Sequence, residues 1–142
     1  GYVAEAVGVV EAARDVGVPV AVSFTVETDG VLPDGTPLAS AVAALEASGP
    51  PDRLLLNCAH PDHMAAGLDG VPVERIAGVK YNASHRSHAE LDEATELDEG
   101  DLGELVAAHS RLAARLPALE VIGGCCGTDA RHVAALWGVP PP

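Results

Sequence analysis

The sequence predicts an α/β fold built on a parallel sheet, and three observations carry that prediction. Short apolar, β-branched runs alternate along the chain with stretches whose apolar residues recur every three or four positions. The runs give way to polar or glycine-rich segments. The intervals between them have room for a helix, and an amphipathic helix is the usual crossover between parallel neighbours.

The chain opens with a helix: Tyr2, Val3, Ala6, Val7, Val10 and Ala13 share one face, and Gly17 ahead of Pro19 stops it. Val18 to Phe24 is the first strand, left through the polar turn Glu27-Thr28-Asp29-Gly30. Thr36 as N-cap and Pro37 at the first helical position begin a second helix. Leu38, Val42 and Leu45 repeat along it until Ser48-Gly49-Pro50-Pro51 breaks it. Arg53 to Asn57 is the second strand and runs directly into Cys58, and Pro61 to Leu68 forms a short helix. Ile76 to Tyr81 is the third strand, weakened by Gly78.

Ser84 to Gly100 is polar, rich in acids and too long for an ordinary connection, so it reads as a functional loop or an exposed excursion. Leu102, Leu105, Val106, Leu112, Ala113 and Leu116 mark the next helix and Leu119 to Ile122 the fourth strand. Asp129 to Trp137 is a last helix capped by Thr128 or Asp129. Four strands suit either a doubly wound open sheet or half of an eight-stranded (β/α) barrel, which typically needs about 250 residues. No GxGxxG fingerprint follows any strand, which leaves the dinucleotide-binding open sheet without support.

Composition narrows the function classes. A chain of 142 residues, 48% of them apolar, suffices for one packed domain. Charges, Gly or Pro interrupt every apolar stretch, so no span of the roughly 18–20 residues needed to cross a bilayer exists. Twenty-one acidic against eight basic residues, a net charge of -13, would repel phosphate backbones and anionic lipid, so neither nucleic acid nor membrane is the expected partner. The first residues carry no secretory pattern and no starting Met. Three cysteines, two of them adjacent, make a poor disulfide framework and fit reduced thiols in a cytoplasm.

In α/β proteins sites form where strand carboxyl ends converge. Cys58 directly follows Arg53–Asn57, and Cys125-Cys126 directly follows Glu120-Val121-Ile122-Gly123-Gly124, so all three thiols are expected at strand exits and at one place. Three thiolates around zinc leave the fourth tetrahedral position open, the arrangement of a catalytic rather than a structural site. Such a site can take a substrate thiol, hold it as thiolate and leave it nucleophilic, which suits alkyl transfer to sulfur. Vicinal cysteines serve this only if Gly123 and Gly124 let the chain bend toward one point. Adjacent cysteines would form a strained disulfide, so a redox pair is the weaker reading.

Gly123-Gly-Cys-Cys-Gly-Thr128, together with Asn57-Cys58 at an earlier strand end, resembles the homocysteine S-methyltransferase family. Ser23-Phe24-Thr25, Asp29-Gly30 and Asp34-Gly35-Thr36-Pro37-Leu38 are similar to the family's stretch before its first zinc cysteine. Tyr81-Asn82-Ala83 is similar to the strand end between the zinc ligands. The resemblance implies that residues 1–142 are the C-terminal half of a homocysteine-binding (β/α)8 TIM barrel whose N-terminal half, with its glycine-rich opening motif, is absent. It implies Zn2+ on Cys58, Cys125 and Cys126, and homocysteine and a methyl donor (a sulfonium, a betaine or a folate) as partners. Asn57, Asn82 and His85 are the expected substrate-binding residues.

The resemblance therefore implies a zinc-dependent S-methyltransferase that produces methionine. The alternative is a non-catalytic zinc-binding half-barrel that pairs with a partner chain or with itself. The third strand departs from the family pattern: Lys80-Tyr81-Asn82-Ala83-Ser84-His85 stands where a Pro before the Asn and a Gly soon after it are usual.

Other ligand-type residues have plainer readings. His60 with His63, and His85 with His88, have metal-ligand spacing but read as solvated surface pairs, with His85 and His88 placed to line the pocket of a formed barrel. Glu90 to Glu104, including Asp92, Glu93, Glu96, Asp98, Glu99 and Asp101, reads as a solvated acidic face. Trp137 reads as a packing residue.

Overall fold

The computed structural model describes residues 2–141. Helix α1 (Tyr2–Val16) leads into β1 (Ala21–Thr25), α2 (Leu38–Ser48), β2 (Arg53–Ala59), α3 (Pro61–Ala66), β3 (Ile76–Tyr81), α4 (His88–Asp92), α5 (Leu102–Ala113), β4 (Val121–Gly124) and α6 (Ala130–Leu136). The four strands are parallel and lie in the order β1-β2-β3-β4. Sequential order with right-handed crossovers puts every helix on one face and curls the sheet away from them. A doubly wound sheet would reverse direction at a switch point, and this one does not. The fold is therefore part of a (β/α) barrel.

One face of the sheet is sealed. Val22, Phe24, Leu54, Leu56, Ile76, Val79 and Tyr81 pack against Val10, Leu38, Val42, Leu45, Leu105 and Leu112 of the helices. Complete burial contributes about 1.5–3 kcal/mol for each large aliphatic side chain. The concave face is open, and polar side chains gather on it toward the carboxyl ends of the strands. Ser23 donates from Oγ to Asn57 Oδ1 at 2.5 Å, Asn57 Nδ2 donates to Thr25 Oγ1 at 3.1 Å, and Lys80 lies level with Asn57 in the register. Gly78 belongs where it sits: a Cβ there would come within 2.7 Å of Leu55 and 2.9 Å of Val121, side chains that meet across it.

Several sequence expectations shift. Pro37, not Thr36, is the α2 N-cap residue: it keeps an extended ψ of 136°, its carbonyl accepts from Ala41 N–H at 3.1 Å, and no side chain caps the helix. The fourth strand is Val121–Gly124 rather than Leu119–Ile122, because Glu120 N–H pairs with Ala77 and the ladder begins at Gly78↔Val121. Asp129, not Thr128, caps α6. Trp137 is half exposed, with its Nε1 donating to the Ile122 carbonyl at 3.1 Å on the outer side of β4. Among the described residues no helix is long and apolar enough to cross a membrane.

Candidate metal centre

Cys58 is a β2 residue rather than the first one beyond it, and it interrupts the ladder. Asn57 pairs with Lys80 and Ala59 with Tyr81, so Cys58 is the extra residue of a bulge. Its φ of 55° makes it the single non-glycine residue in the left-handed region among those described. That conformation costs an L-residue roughly 1–2 kcal/mol, so the surroundings must hold it.

Cys125 and Cys126 follow β4 immediately. The strand runs through Gly123 and Gly124 without a left-handed turn; the positive φ comes afterwards, 76° at Gly127. Gly124 therefore serves clearance rather than the expected bend. A Cβ on it would lie 2.1 Å from Thr128 Oγ1, the hydroxyl that donates to the Cys125 carbonyl at 2.7 Å, whereas one on Gly123 would meet only the Lys80 stem, in ordinary contact at 3.4 Å.

The three thiols converge as expected. Cys125 Sγ lies 3.3 Å and Cys126 Sγ 3.7 Å from Cys58 Sγ, and all three sulfurs fall within 4.8 Å of one another. Sulfurs at about 2.3 Å around a tetrahedral ion would be roughly 3.8 Å apart, so this donor set fits one metal ion with little movement. Burial first, then the hydrogen bonds and charges of Cys125 and Cys126, push the Cys58 thiol up to about 12. Three thiolates this close need a cation among them.

Asn82 ties the two thiol-bearing segments together. It is buried; its Nδ2 donates to the Cys58 carbonyl at 3.0 Å and its Oδ1 accepts from Cys126 N–H at 3.2 Å. Cys125 N–H donates to the Tyr81 carbonyl at 2.7 Å, and Ala83 N–H to the Cys126 carbonyl at 2.9 Å. Asn82, in the stretch that is similar to the family, therefore places an amide where both cysteine segments use it, and the flanking departures leave that amide in place. Asn57 lies on the concave face beside Cys58. His85 is elsewhere, its ring stacked on His60 at 3.4 Å between centroids.

The reading of the histidine pairs as solvated holds for His85, which is half exposed, and needs correction at His60 and His88. His60 is 1% exposed, because its Nδ1 caps α3 by accepting from Asp62 N–H at 3.3 Å while His85 covers its face. Burial, then the nearby His85, holds its pKa down to about 4. His60, Asp62 and His85 place ligand atoms within 4.8 Å of one another, but Asp62 also pairs with Arg111 at 3.0 Å. His88 is partly buried, with its Nε2 donating to the Cys58 carbonyl at 2.5 Å and its Nδ1 3.0 Å from Glu27 Oε1. The contact with Glu27 crosses 61 positions, and no local pattern signals it. The acidic stretch is mostly exposed, as expected, apart from Asp98, which accepts from Ser84 Oγ at 2.8 Å.

Comparison with known proteins agrees with this geometry. The family model described as homocysteine S-methyltransferase matches residues 2–138. Crystal structures of the homocysteine methyltransferase MmuM from Escherichia coli are similar at 25% identity. Its metallated form superposes with a TM-score of 0.66, covering 94% of this chain and 40% of that one. The oxidized form gives 0.68 with 96% and 41%, and the apo form 0.67 with 96% and 46%. The chain thus spans less than half of the structures it matches. Among curated protein sequences none matches.

Proposed function

The chain belongs to the homocysteine S-methyltransferase family, and from that premise we propose that it is the C-terminal, zinc-holding half of a (β/α)8 barrel. The barrel would transfer a methyl group from a sulfonium, betaine or folate donor to the thiol of homocysteine, giving methionine. The observation that carries this reading is the convergence of Cys58, Cys125 and Cys126 at the carboxyl end of the sheet with sulfurs 3.3 and 3.7 Å apart. Zinc, when bound, would act as a Lewis acid that keeps a substrate thiol deprotonated at neutral pH.

The chain's own residues do the rest. Cys58, Cys125 and Cys126 hold the ion, and Asn82 fixes the spacing of the two segments that carry them. Asn57, beside the thiols on the concave face, would contact the amino-acid part of the acceptor, whereas His85, stacked on His60, would take no part in holding the metal. Reduced thiols suit a cytoplasmic setting.

Equilibrium dialysis should find one zinc per chain, and Cys126→Ser should abolish it. Methionine formation from homocysteine with each donor class, in a protein carrying a complete barrel, tests the activity. Retention of full zinc binding and full activity by Cys126→Ser would defeat the reading.

A second reading, a half-barrel that acts by pairing with a partner half or a second copy, draws on a different observation. Exposed apolar residues gather at both open ends of the sheet: Tyr2 and Val9 beside β1, and Val121 and Trp137 at β4. Unpaired edges of this kind favour association. A stable monomer in sedimentation would count against it.

A further inference from the structure

We propose that His88, seated by Glu27, is the positioning residue that holds Cys58 in its left-handed conformation and so aims its sulfur at Cys125 and Cys126. The inference rests on the reading of the three thiols as a metal site and adds the device that shapes it.

The Cys58 carbonyl accepts from two side chains, Asn82 Nδ2 at 3.0 Å and His88 Nε2 at 2.5 Å. Two donors on one carbonyl fix the peptide plane that follows Cys58, the residue whose φ of 55° the free chain would avoid. Asn82 comes from the neighbouring strand end. His88 comes from the polar segment after β3, which places it by three further contacts. His88 is the first residue of α4, and that helix start is locked by a capping box: Glu90 N–H donates to Ser87 Oγ at 3.3 Å and Ser87 N–H to Glu90 Oε2 at 2.9 Å. Glu27, in the loop after β1, holds the other ring nitrogen at 3.0 Å.

The segment also closes on the cysteine loop. A Cβ on Gly127 would lie 2.1 Å from the Asp98 carbonyl and one on Gly100 2.1 Å from the Ala83 carbonyl, so backbone meets backbone on both sides. The stretch from Ser84 to Gly100 thus works as a strap across the thiol end of the sheet, and His88 is its contact with the strained ligand. A ligand's hydrogen-bonded support commonly contributes ten- to hundredfold to metal affinity.

Chelator competition for zinc, together with backbone NMR chemical shifts of Cys58 in the metal-free 142-residue chain, tests this. His88→Ala should weaken zinc binding about ten- to hundredfold and remove the left-handed signature of Cys58. His88→Gln, which keeps a donor facing the carbonyl, should restore most of both. Glu27→Ala leaves the ring but unseats it and should weaken binding severalfold; it also serves if His88→Ala fails to fold. Wild-type affinity and an unchanged Cys58 signature in both alanine variants would overturn the proposal, as would a His88→Gln variant as impaired as His88→Ala. If the wild-type chain bound no zinc, the metal reading would fail, and the NMR comparison would still decide the role of His88.

Discussion

Two clusters of metal-ligand residues lie near the same end of the sheet, and they are held in different ways. Cys58, Cys125 and Cys126 point their sulfurs at a common space, and their backbones are held by Asn82, Tyr81, Ala83 and His88. Around His60, Asp62 and His85 the ligand atoms are nearly as close, yet each group is engaged otherwise. His60 caps a helix, His85 stacks on its ring, and Asp62 pairs with Arg111. The difference teaches that proximity of ligand types does not define a site; a backbone strained and braced to present them does. A buried imidazole with local partners is a structural residue, whereas a left-handed cysteine braced from two other segments has its conformation imposed on it.

The sharpest way to break this contrast is to remove a sulfur. Cys58→Ser or Cys126→Ser should abolish stoichiometric zinc uptake, measured by dialysis and elemental analysis, because two thiols and a hydroxyl no longer make the donor set. Next in size, Asn82→Ala removes the brace shared by both cysteine segments and should weaken zinc affinity by about ten- to hundredfold in chelator competition.

The imidazole cluster should answer in stability instead. His60→Ala should leave zinc stoichiometry at one while costing about 1–3 kcal/mol in urea unfolding, from a lost cap and a cavity. His60 also gives a pH signature. Its folded pKa, about 4, lies below the unfolded value of about 6.5, so its contribution is fully present above pH 6.5, falls as pH drops toward 4, and levels off below. His60→Ala should flatten that slope in the metal-free chain. The smallest effect is expected of His85→Ala, half exposed, at about 0.5 kcal/mol or less with zinc binding unchanged.

Much of this was legible in the sequence, for reasons that particular residues make plain. The apolar stripe from Leu102 to Leu112 and the run Ile76 to Tyr81 carry their own periodicity, and the structure places both elements there. The thiols could be brought together in advance because strand exits converge in any parallel α/β fold. What stayed hidden depends on partners distant in sequence. Cys58 becomes a bulge because Ala59, not Cys58, pairs with Tyr81. His60 is buried because His85 arrives from another strand end, and His88 leaves the solvent because Glu27, in the loop after β1, meets its ring. The extent of β4 escapes a reading of the sequence because glycines carry no strand signal, although Gly123 and Gly124 pair with Lys80 and Tyr81.

In the proposed site three sulfurs of this chain hold one metal ion and leave a place for a thiol. Zinc X-ray absorption of the loaded chain tests it most directly. Three sulfur ligands and one lighter ligand are expected, becoming four sulfurs when homocysteine is added. Imidazole scattering in the first shell, or a sulfur count that homocysteine does not change, would contradict it.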